Sequence, residues 1–197
     1  MIESKKNEMG KKIVVAVTGA SGSVYASRLL EKFSQYREQL EDVGIIFSPN
    51  ALDIWAYELG RRPDAEEFGF RWYAKTDFYA PFASGSAGWD TMIIIPCSMG
   101  TLGRIAAGVS DDLITRAADV ILKERRKLIL VPRENPYSLI HLRNMTLLTE
   151  AGAIIAPATP SFYSLPKSVD AVVDTVVNRI LDLAGIENSG YRWGSEG

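Results

Sequence analysis

The feature that most constrains the fold is a repeated order of apolar strand, small-residue turn and helix. Residues 12–18 (KIVVAVT) are almost continuously apolar and β-branched, which is typical of a strand buried on both faces of a parallel sheet. A turn follows at 19–23, and residues 24–36 then place apolar side chains at helical spacing, with Ser23 as the predicted N-cap. This first unit predicts a βα element of a parallel α/β sheet.

The same order recurs along the chain. We predict strand and helix pairs at 42–47 and 49–59, at 91–96 and a helix beginning near Met99, at 127–131 and 138–150, and at 153–156 and 168–183. Alternating β and α units of this kind give a single-domain, three-layer α/β/α parallel sheet with helices on both faces.

Residues 60–88 interrupt this order with several glycines, prolines and aromatic residues. We consider three roles for the aromatic side chains: they close over a site, they bury against another subunit, or they pack in the core. The side chains concerned are Phe68, Phe70, Trp72, Tyr73, Phe78, Tyr79 and Phe82.

Charge and cysteine content exclude several classes of protein. The chain has 197 residues with 22 Lys and Arg against 24 Asp and Glu, a net charge of −2, so no overall basic field draws it to nucleic acid or to anionic lipid. One Cys and one His allow no intrachain disulfide and suggest no metal site. No apolar run is long enough to span a membrane. We therefore expect a cytoplasmic protein whose partners are small molecules or copies of itself.

Two strand-end turns have the composition of anion-binding loops. The turn at 19–23 (GASGS) combines glycines and hydroxyls at a helix N-terminus, where unpaired N–H groups suit a phosphate. It matches neither G-x-G-x-x-G nor a P-loop, so the interpretation as an NAD or ATP site loses support. The alternative that it is a plain βα turn stays open. A second such turn at 96–101 (PCSMGT) follows another strand, so both lie at the edge where α/β sheets bind ligands. Together they predict a phosphate-bearing cofactor, whereas Cys97 is predicted to be a packing residue.

Charged residues follow the later strands. Arg133 and Glu134 come directly after the strand at 127–131, at the same sheet edge, where we favour a functional pair. Arg116 and Lys123 are seven residues apart and share a helix face, which in general is a solvated basic surface.

Two further residues could contact a phosphate. Tyr163 follows the strand at 153–156, where its hydroxyl can donate to a phosphate oxygen, and Arg179 on the last helix can pair with the phosphate in a bidentate manner. A purely structural role stays open for both.

In this order and spacing, the strings GASGS, SGS at 84–86, PCSMGTL, LITRAADVILKERR, LILVPREN, HLRNM and FYSLP resemble the UbiX-like flavin prenyltransferases, formerly described as aryl acid decarboxylases. The resemblance extends over about residues 11–193. It implies a Rossmann-like, flavodoxin-type domain at 12–184, a polar N-terminal segment at 1–11 and a C-terminal arm at 185–197. It also implies a homo-oligomer, usually a dodecamer, that binds FMN between subunits.

The resemblance implies a reaction without a metal ion. The family transfers the dimethylallyl group of dimethylallyl monophosphate to N5 and C6 of reduced FMN, and the prenylated FMN serves UbiD-type decarboxylases.

The resemblance assigns roles to matching positions. Glu134 would relay a proton with Ser21, and Glu58 would lie near the phosphate. An aromatic residue at 78–81 would pack on the isoprenyl chain. Pro49 stands where the family has Lys, which leaves open a shift of the local turn. The flavin would contact Gly19, Ala20, Ser21, Ser48, Ser98, Met99, Gly100, Thr101 and Arg133. The prenyl phosphate would contact Arg116, Lys123, Tyr163 and Arg179, of which Lys123 and Tyr163 would also take part in catalysis.

Three alternatives are considered beside this reading. An FMN-binding aryl acid decarboxylase would release CO₂ without a partner enzyme. A flavin carrier or electron-transfer protein would use the same turns but not the phosphate-binding residues. Phosphopantothenoylcysteine decarboxylases share the fold but rely on a His in the N-terminal half, and the single His here is His141.

Overall fold

The protein contains a six-stranded parallel sheet, described here from a computed structural model that covers residues 10–194. The strands are β1 (Lys11–Val17), β2 (Leu40–Phe47), β3 (Arg71–Tyr73), β4 (Thr91–Cys97), β5 (Lys127–Pro132) and β6 (Ile154–Ile155). Their order across the sheet is β3-β2-β1-β4-β5-β6, and every neighbouring pair is parallel. Without the short β3 this is the flavodoxin-like order, and the strand order reverses between β1 and β4.

Within residues 10–194, six α-helices cover the two faces of the sheet. They are α1 (Ser23–Gln35), α2 (Pro49–Leu59), α3 (Met99–Ala106), α4 (Leu113–Lys123), α5 (Leu139–Glu150) and α6 (Val169–Ala184). Alternate side chains of β1 separate the two cores, because successive strand residues point to opposite faces. Ile13 and Val15 pack with α1, α2 and α6, whereas Val14 and Ala16 pack with α3 and α4. The three-layer α/β/α prediction is confirmed.

All five predicted strand and helix pairs are present, with shifts of at most about two residues at their ends. Two features differ from the sequence prediction. Ser23, the predicted N-cap, is instead the first residue of α1. The N-cap is Gly22, which has a left-handed backbone (φ 112°) and makes no side-chain hydrogen bond that would cap the helix. The strand β3 lies inside the segment 60–88, where three residues are too few to show a period.

Most of the aromatic side chains of that segment pack in the core. Phe68, Phe70, Tyr73 and Phe82 are buried, and Trp72 stacks on Phe47 at 4.7 Å between ring centroids. Two other aromatic residues behave differently: Phe78 is half exposed and Tyr79 is 99% exposed. Core packing is thus correct for five of the seven.

The chain after α6 turns back along that helix. Ile186 is buried, and the guanidinium of Arg192 donates to the carboxylate of Asp182 at 2.7 and 2.9 Å. The predicted segment 1–11 lies outside the described residues except for 10 and 11, as do the last three residues of the predicted arm. The domain limits 12–184 and 185–197 stay predictions. None of the helices within residues 10–194 is long and apolar enough to cross a bilayer.

Candidate functional site

A cleft of about 450 Å³ opens at the carboxyl ends of β1, β4 and β5. It lies where the strand order reverses, the position at which open α/β sheets bind ligands. Ile54 and Tyr57 of α2 form one wall, and neither was predicted from the sequence. The predicted site residues in its lining are Gly19, Ala20, Ser21, Glu58, Ser98, Met99, Arg133 and Glu134.

Two serines predicted to contact the flavin cap helices, and of these Ser98 lines the cleft whereas Ser48 is not among its lining residues. The hydroxyl of Ser48 accepts from the N–H of Ala51 at 3.2 Å and caps α2. Ser98 caps α3 in the same way through Thr101, at 3.3 Å. Pro49 occupies the first position of α2, where proline is favoured, and the Ser48 cap forms beside it.

Thr18 connects the two predicted anion-binding turns. Its buried hydroxyl donates to the carbonyl of Pro96 and accepts from the N–H of Ser98, both at 2.8 Å. Because the bonds cross 78 and 80 positions of sequence, they hold the ends of β1 and β4 in one arrangement. Nothing local in the sequence marks Thr18 for this role.

Glu58 caps α1 from another helix. Its carboxylate accepts from the N–H groups of Gly22 at 3.0 Å and Ser23 at 2.7 Å. Burial alone would raise the pKa of Glu58, but hydrogen bonds from Ser21, Ser23 and Gly22 outweigh it and hold the pKa below its usual value. Two of the N–H groups predicted to receive a phosphate are therefore bonded to this carboxylate.

Arg133 connects the turn after β5 to the turn after β1. Its Nε donates to the carbonyl of Ser21 at 2.9 Å. Glu134 is exposed at the mouth of the cleft, and its carboxylate accepts from the N–H of Asn135 at 3.1 Å. Glu134 and Ser21 thus share one cleft, as a proton relay between them requires.

The four predicted phosphate-binding residues do not line this cleft in a single chain. Arg116 donates to the carbonyl of Ala83 at 3.1 Å and pairs with Asp119. Lys123 pairs with Glu124 at the end of α4. Tyr163 contacts the ring of Trp193, with centroids 5.0 Å apart.

Arg179 lies at a second cavity, of about 740 Å³, which is lined mainly by α6, by residues from 154–164 and by 189–192. Lys32 and Asp174 line that cavity with Arg179, so it carries both signs of charge. It is larger than the first cleft but lies away from the two hydroxyl turns. The expected convergence of the phosphate-binding cations therefore does not occur within one chain.

Cys97 is a packing residue in the structure, as predicted. It is fully buried, and burial raises the pKa of its thiol to about 12, so the reactive thiolate is absent near neutral pH.

Within the described part of the chain, no three His, Cys, Asp or Glu side chains are grouped so as to hold a metal ion. Gly100 and Thr101 lie in α3 and are not among the residues that line the cleft, and Thr101 is buried.

Comparison with known proteins gives consistent matches over nearly the whole chain. The sequence profile of the family described as Flavoprotein matches residues 1–181. A flavin prenyltransferase UbiX of Methanocaldococcus jannaschii is 46% identical over 186 residues, which cover 93% of this chain and 99% of the relative. The corresponding protein of Pseudomonas aeruginosa is 42% identical, with coverage of 94% and 95%.

Solved structures agree with these matches. A crystal structure of AnUbiX (PadA1) in complex with FMN and dimethylallyl pyrophosphate superposes with a TM-score of 0.89 at 40% identity, covering 96% of this chain and all of that one. A dodecameric FMN-dependent UbiX-like decarboxylase from Escherichia coli gives a TM-score of 0.85 at 40% identity, with coverage of 92% and 98%.

More distant structures share the fold alone. The peptidyl-cysteine decarboxylase EpiD is 17% identical with a TM-score of 0.60, and a PPC decarboxylase is 19% identical with a TM-score of 0.60. The sequence matches and the arrangement of the strand-end turns therefore lead to one conclusion: the chain belongs to the flavoprotein family and, within it, to the UbiX flavin prenyltransferases.

Proposed function

We propose that the protein transfers the dimethylallyl group of dimethylallyl monophosphate to N5 and C6 of reduced FMN and so makes prenylated FMN. The observation that carries the proposal is the strand-end cleft, which brings the predicted flavin-binding turns together with Glu134, Ser21 and Glu58. Membership of the UbiX family supports the same reaction.

The donor set of the cleft fits FMN. Ser98 lines the cleft and begins a helix whose N-terminus favours a phosphate, and the Arg133 guanidinium adds a positive charge, whereas Ser48 caps α2 outside the lining. A cleft of about 450 Å³ lies within the range of small-molecule sites, roughly 300 to 1,000 Å³. The Cβ of any larger residue at Gly19 would lie 2.8 Å from the Cβ of Asn50, so the turn approaches α2 as closely as its backbone allows. Reduced FMN supplies the electron-rich ring that the allyl group joins.

The chain's own residues would stabilise the separating charges. Breaking an allylic C–O bond leaves negative charge on the phosphate, which the cations of Arg116, Lys123 and Arg179 and the hydroxyl of Tyr163 would hold. Glu134 would accept the proton lost from C6 of the flavin, and Ser21 would relay it. Glu58, whose pKa is held below its usual value, stays ionised and keeps the turn at Gly22 in place.

We also propose that neighbouring subunits complete the site in a homo-oligomer, with twelve subunits as in the Escherichia coli relative. Separation of Arg179 and Tyr163 from the cleft within one chain supports this arrangement. Exposed apolar side chains of α5 offer a surface for it. Leu139, Ile140, Leu142 and Leu147 are 48–68% exposed. The reaction would take place in the cytoplasm, and the product would serve a UbiD-type decarboxylase.

The deciding experiment incubates the purified protein with reduced FMN and either dimethylallyl monophosphate or the pyrophosphate, followed by mass spectrometry of the flavin. We expect a flavin heavier by one dimethylallyl unit with the monophosphate. An unchanged flavin mass with both donors would indicate a flavin carrier. CO₂ release from an aromatic acid by the protein alone would indicate a decarboxylase.

A further inference from the structure

Three side chains at the end of α4 form a charged cluster over the turn at 84–86. The carboxylate of Glu124 pairs with the ammonium of Lys123 and lies 3.9 Å from Nη2 of Arg126. The same Nη2 donates to the carbonyl of Gly85 at 2.7 Å. The cluster carries two positive charges and one negative, so it still attracts an anion.

A side chain at Gly85 would meet the Glu124 side chain, whereas the backbone conformation there does not demand glycine. The φ of Gly85 lies outside the left-handed region that favours glycine. A Cβ built at Gly85 would lie 2.6 Å from Cδ of Glu124 and 2.9 Å from its Cγ, closer than real Cβ atoms approach other heavy atoms. The glycine therefore makes room for the Glu124 side chain, which lies directly against the turn.

We infer that Glu124 is a positioning residue that holds the ammonium of Lys123 beside the turn at 84–86, ready for the phosphate of the prenyl donor. The inference rests on the proposed function, in which Lys123 binds that phosphate. Lysine has a flexible four-carbon side chain, and its rotamer entropy opposes holding the ammonium in one place. The ammonium has three donors, so one bond to Glu124 leaves two for phosphate oxygens.

The turn beneath the cluster is held by one arginine of α4 and one that follows the helix. Arg116 donates to the carbonyl of Ala83, just before the turn, at 3.1 Å, and Arg126 donates to the carbonyl of Gly85 within it. The pKa of Glu124 is lowered by its bond to Lys123, which keeps the carboxylate charged. Glu124 thus has a fixed support on one side and the ammonium on the other.

The test is a double-mutant cycle between Glu124 and Gly85. In Glu124→Ala we expect the KM for dimethylallyl monophosphate to rise about fivefold, with kcat and FMN affinity within about twofold of wild type. Gly85→Ala should give the same change, because its methyl group displaces Glu124. The double variant should be no worse than either single variant. Glu124→Gln keeps an acceptor for Lys123 and should recover part of the loss.

Two further variants identify which idea fails. Lys123→Ala should raise the same KM by about tenfold or more. An unchanged KM there contradicts the phosphate role of Lys123 and so the proposed site. A raised KM in Lys123→Ala together with a wild-type KM in Glu124→Ala overturns the positioning role of Glu124 alone. The same holds if the effects of Glu124→Ala and Gly85→Ala on KM add up in the double variant. Glu67→Ala, which removes a comparable surface ion pair with Arg61, is the matched control and should leave KM unchanged.

Discussion

At the residue scale, the cleft contains the carboxylate that we propose as the proton acceptor, that of Glu134. Glu134 is the second residue after β5, and the neighbouring Arg133 donates to the carbonyl of Ser21 in the facing turn. The sequence predicted both residues because strand ends at one sheet edge meet in space. Their spatial relation to Ser21 came from the structure.

We predict that Glu134→Gln slows turnover by about 100-fold or more, because general acid–base groups contribute roughly that much, while FMN binding stays within about twofold. Single-turnover mass spectrometry of the flavin measures the first effect, and a fluorescence titration with FMN measures the second. Glu150→Gln, an exposed change at the end of α5, is the control. Wild-type turnover in Glu134→Gln would reject the proton role.

Glu58 predicts a pH-dependent contribution to stability. Its folded-state pKa is below its usual value of 4.5, so its contribution is complete above that pH and is lost as the pH falls through the folded pKa. Glu58→Gln should lower the free energy of unfolding at pH 7 by about 1 kcal/mol, limited by solvent screening of the exposed carboxylate.

Urea unfolding of wild type and Glu58→Gln at a series of pH values measures this effect. The difference between the two proteins should be constant between pH 7 and 5.5 and should shrink below about pH 4.5. A difference that is independent of pH would show that the charge of Glu58 does not hold the turn.

At the element scale, helix starts depend on local and on distant residues. Ser48 and Ser98 cap α2 and α3 through residues three positions on, so the sequence could indicate both. The start of α1 depends on Glu58, 36 positions from Gly22, and the prediction of Ser23 as its N-cap was therefore wrong. A local pattern carries no information on a partner brought by another helix.

The start of α4 gives a quantitative prediction. Asp112 is buried and is the N-cap of α4. Its carboxylate accepts from the N–H of Thr115 at 2.9 Å and pairs with Lys75 and Arg104. Asp112→Ala should lower the free energy of unfolding by about 2 kcal/mol, because it removes both the cap and the partner of two cations. Urea unfolding at pH 7 measures it. In contrast, Asp111→Ala should cost about 0.5 kcal/mol or less, because Asp111 is 59% exposed.

The pH profile of the Asp112 contribution has a definite window. The hydrogen bonds from Thr115, Arg104 and Lys75 outweigh burial and lower the pKa of Asp112 to about 2, against 3.8 in its ordinary state. Its contribution is therefore complete above pH 3.8 and is lost as the pH falls toward 2. Equal stability of wild type and Asp112→Ala at pH 7 would contradict this account.

At the scale of the whole molecule, the separation of Glu134 from Arg179 predicts complementation between subunits. Glu134→Gln and Arg179→Ala should each be nearly inactive alone. The two variants are mixed in equal amounts, dissociated and reassembled. If one subunit supplies Glu134 and its neighbour supplies Arg179, about a quarter of the reassembled sites contain both native residues. Prenylated FMN, measured by mass spectrometry, should reappear in that proportion.

The control for complementation mixes Glu134→Gln with Arg133→Ala. Both residues belong to the same cleft of one chain, so every reassembled site keeps one defect and no activity should return. Mass photometry with a tagged variant shows whether mixed oligomers form. Inactive Glu134→Gln and Arg179→Ala mixtures in demonstrably mixed oligomers would reject a shared site.

The sequence by itself determined the order of the five predicted strand and helix pairs, though not β3, together with the two hydroxyl turns and the positions of Arg133 and Glu134. These features depend on local hydrophobic periodicity and on where a strand ends, and a stretch of about ten residues contains that information. Only the tertiary structure decided that Glu58 caps α1, that Thr18 joins β1 to β4 and that Glu124 lies against Gly85. Each of these contacts joins residues tens of positions apart, so its geometry follows from the order of strands in the sheet and from how helices pack across it.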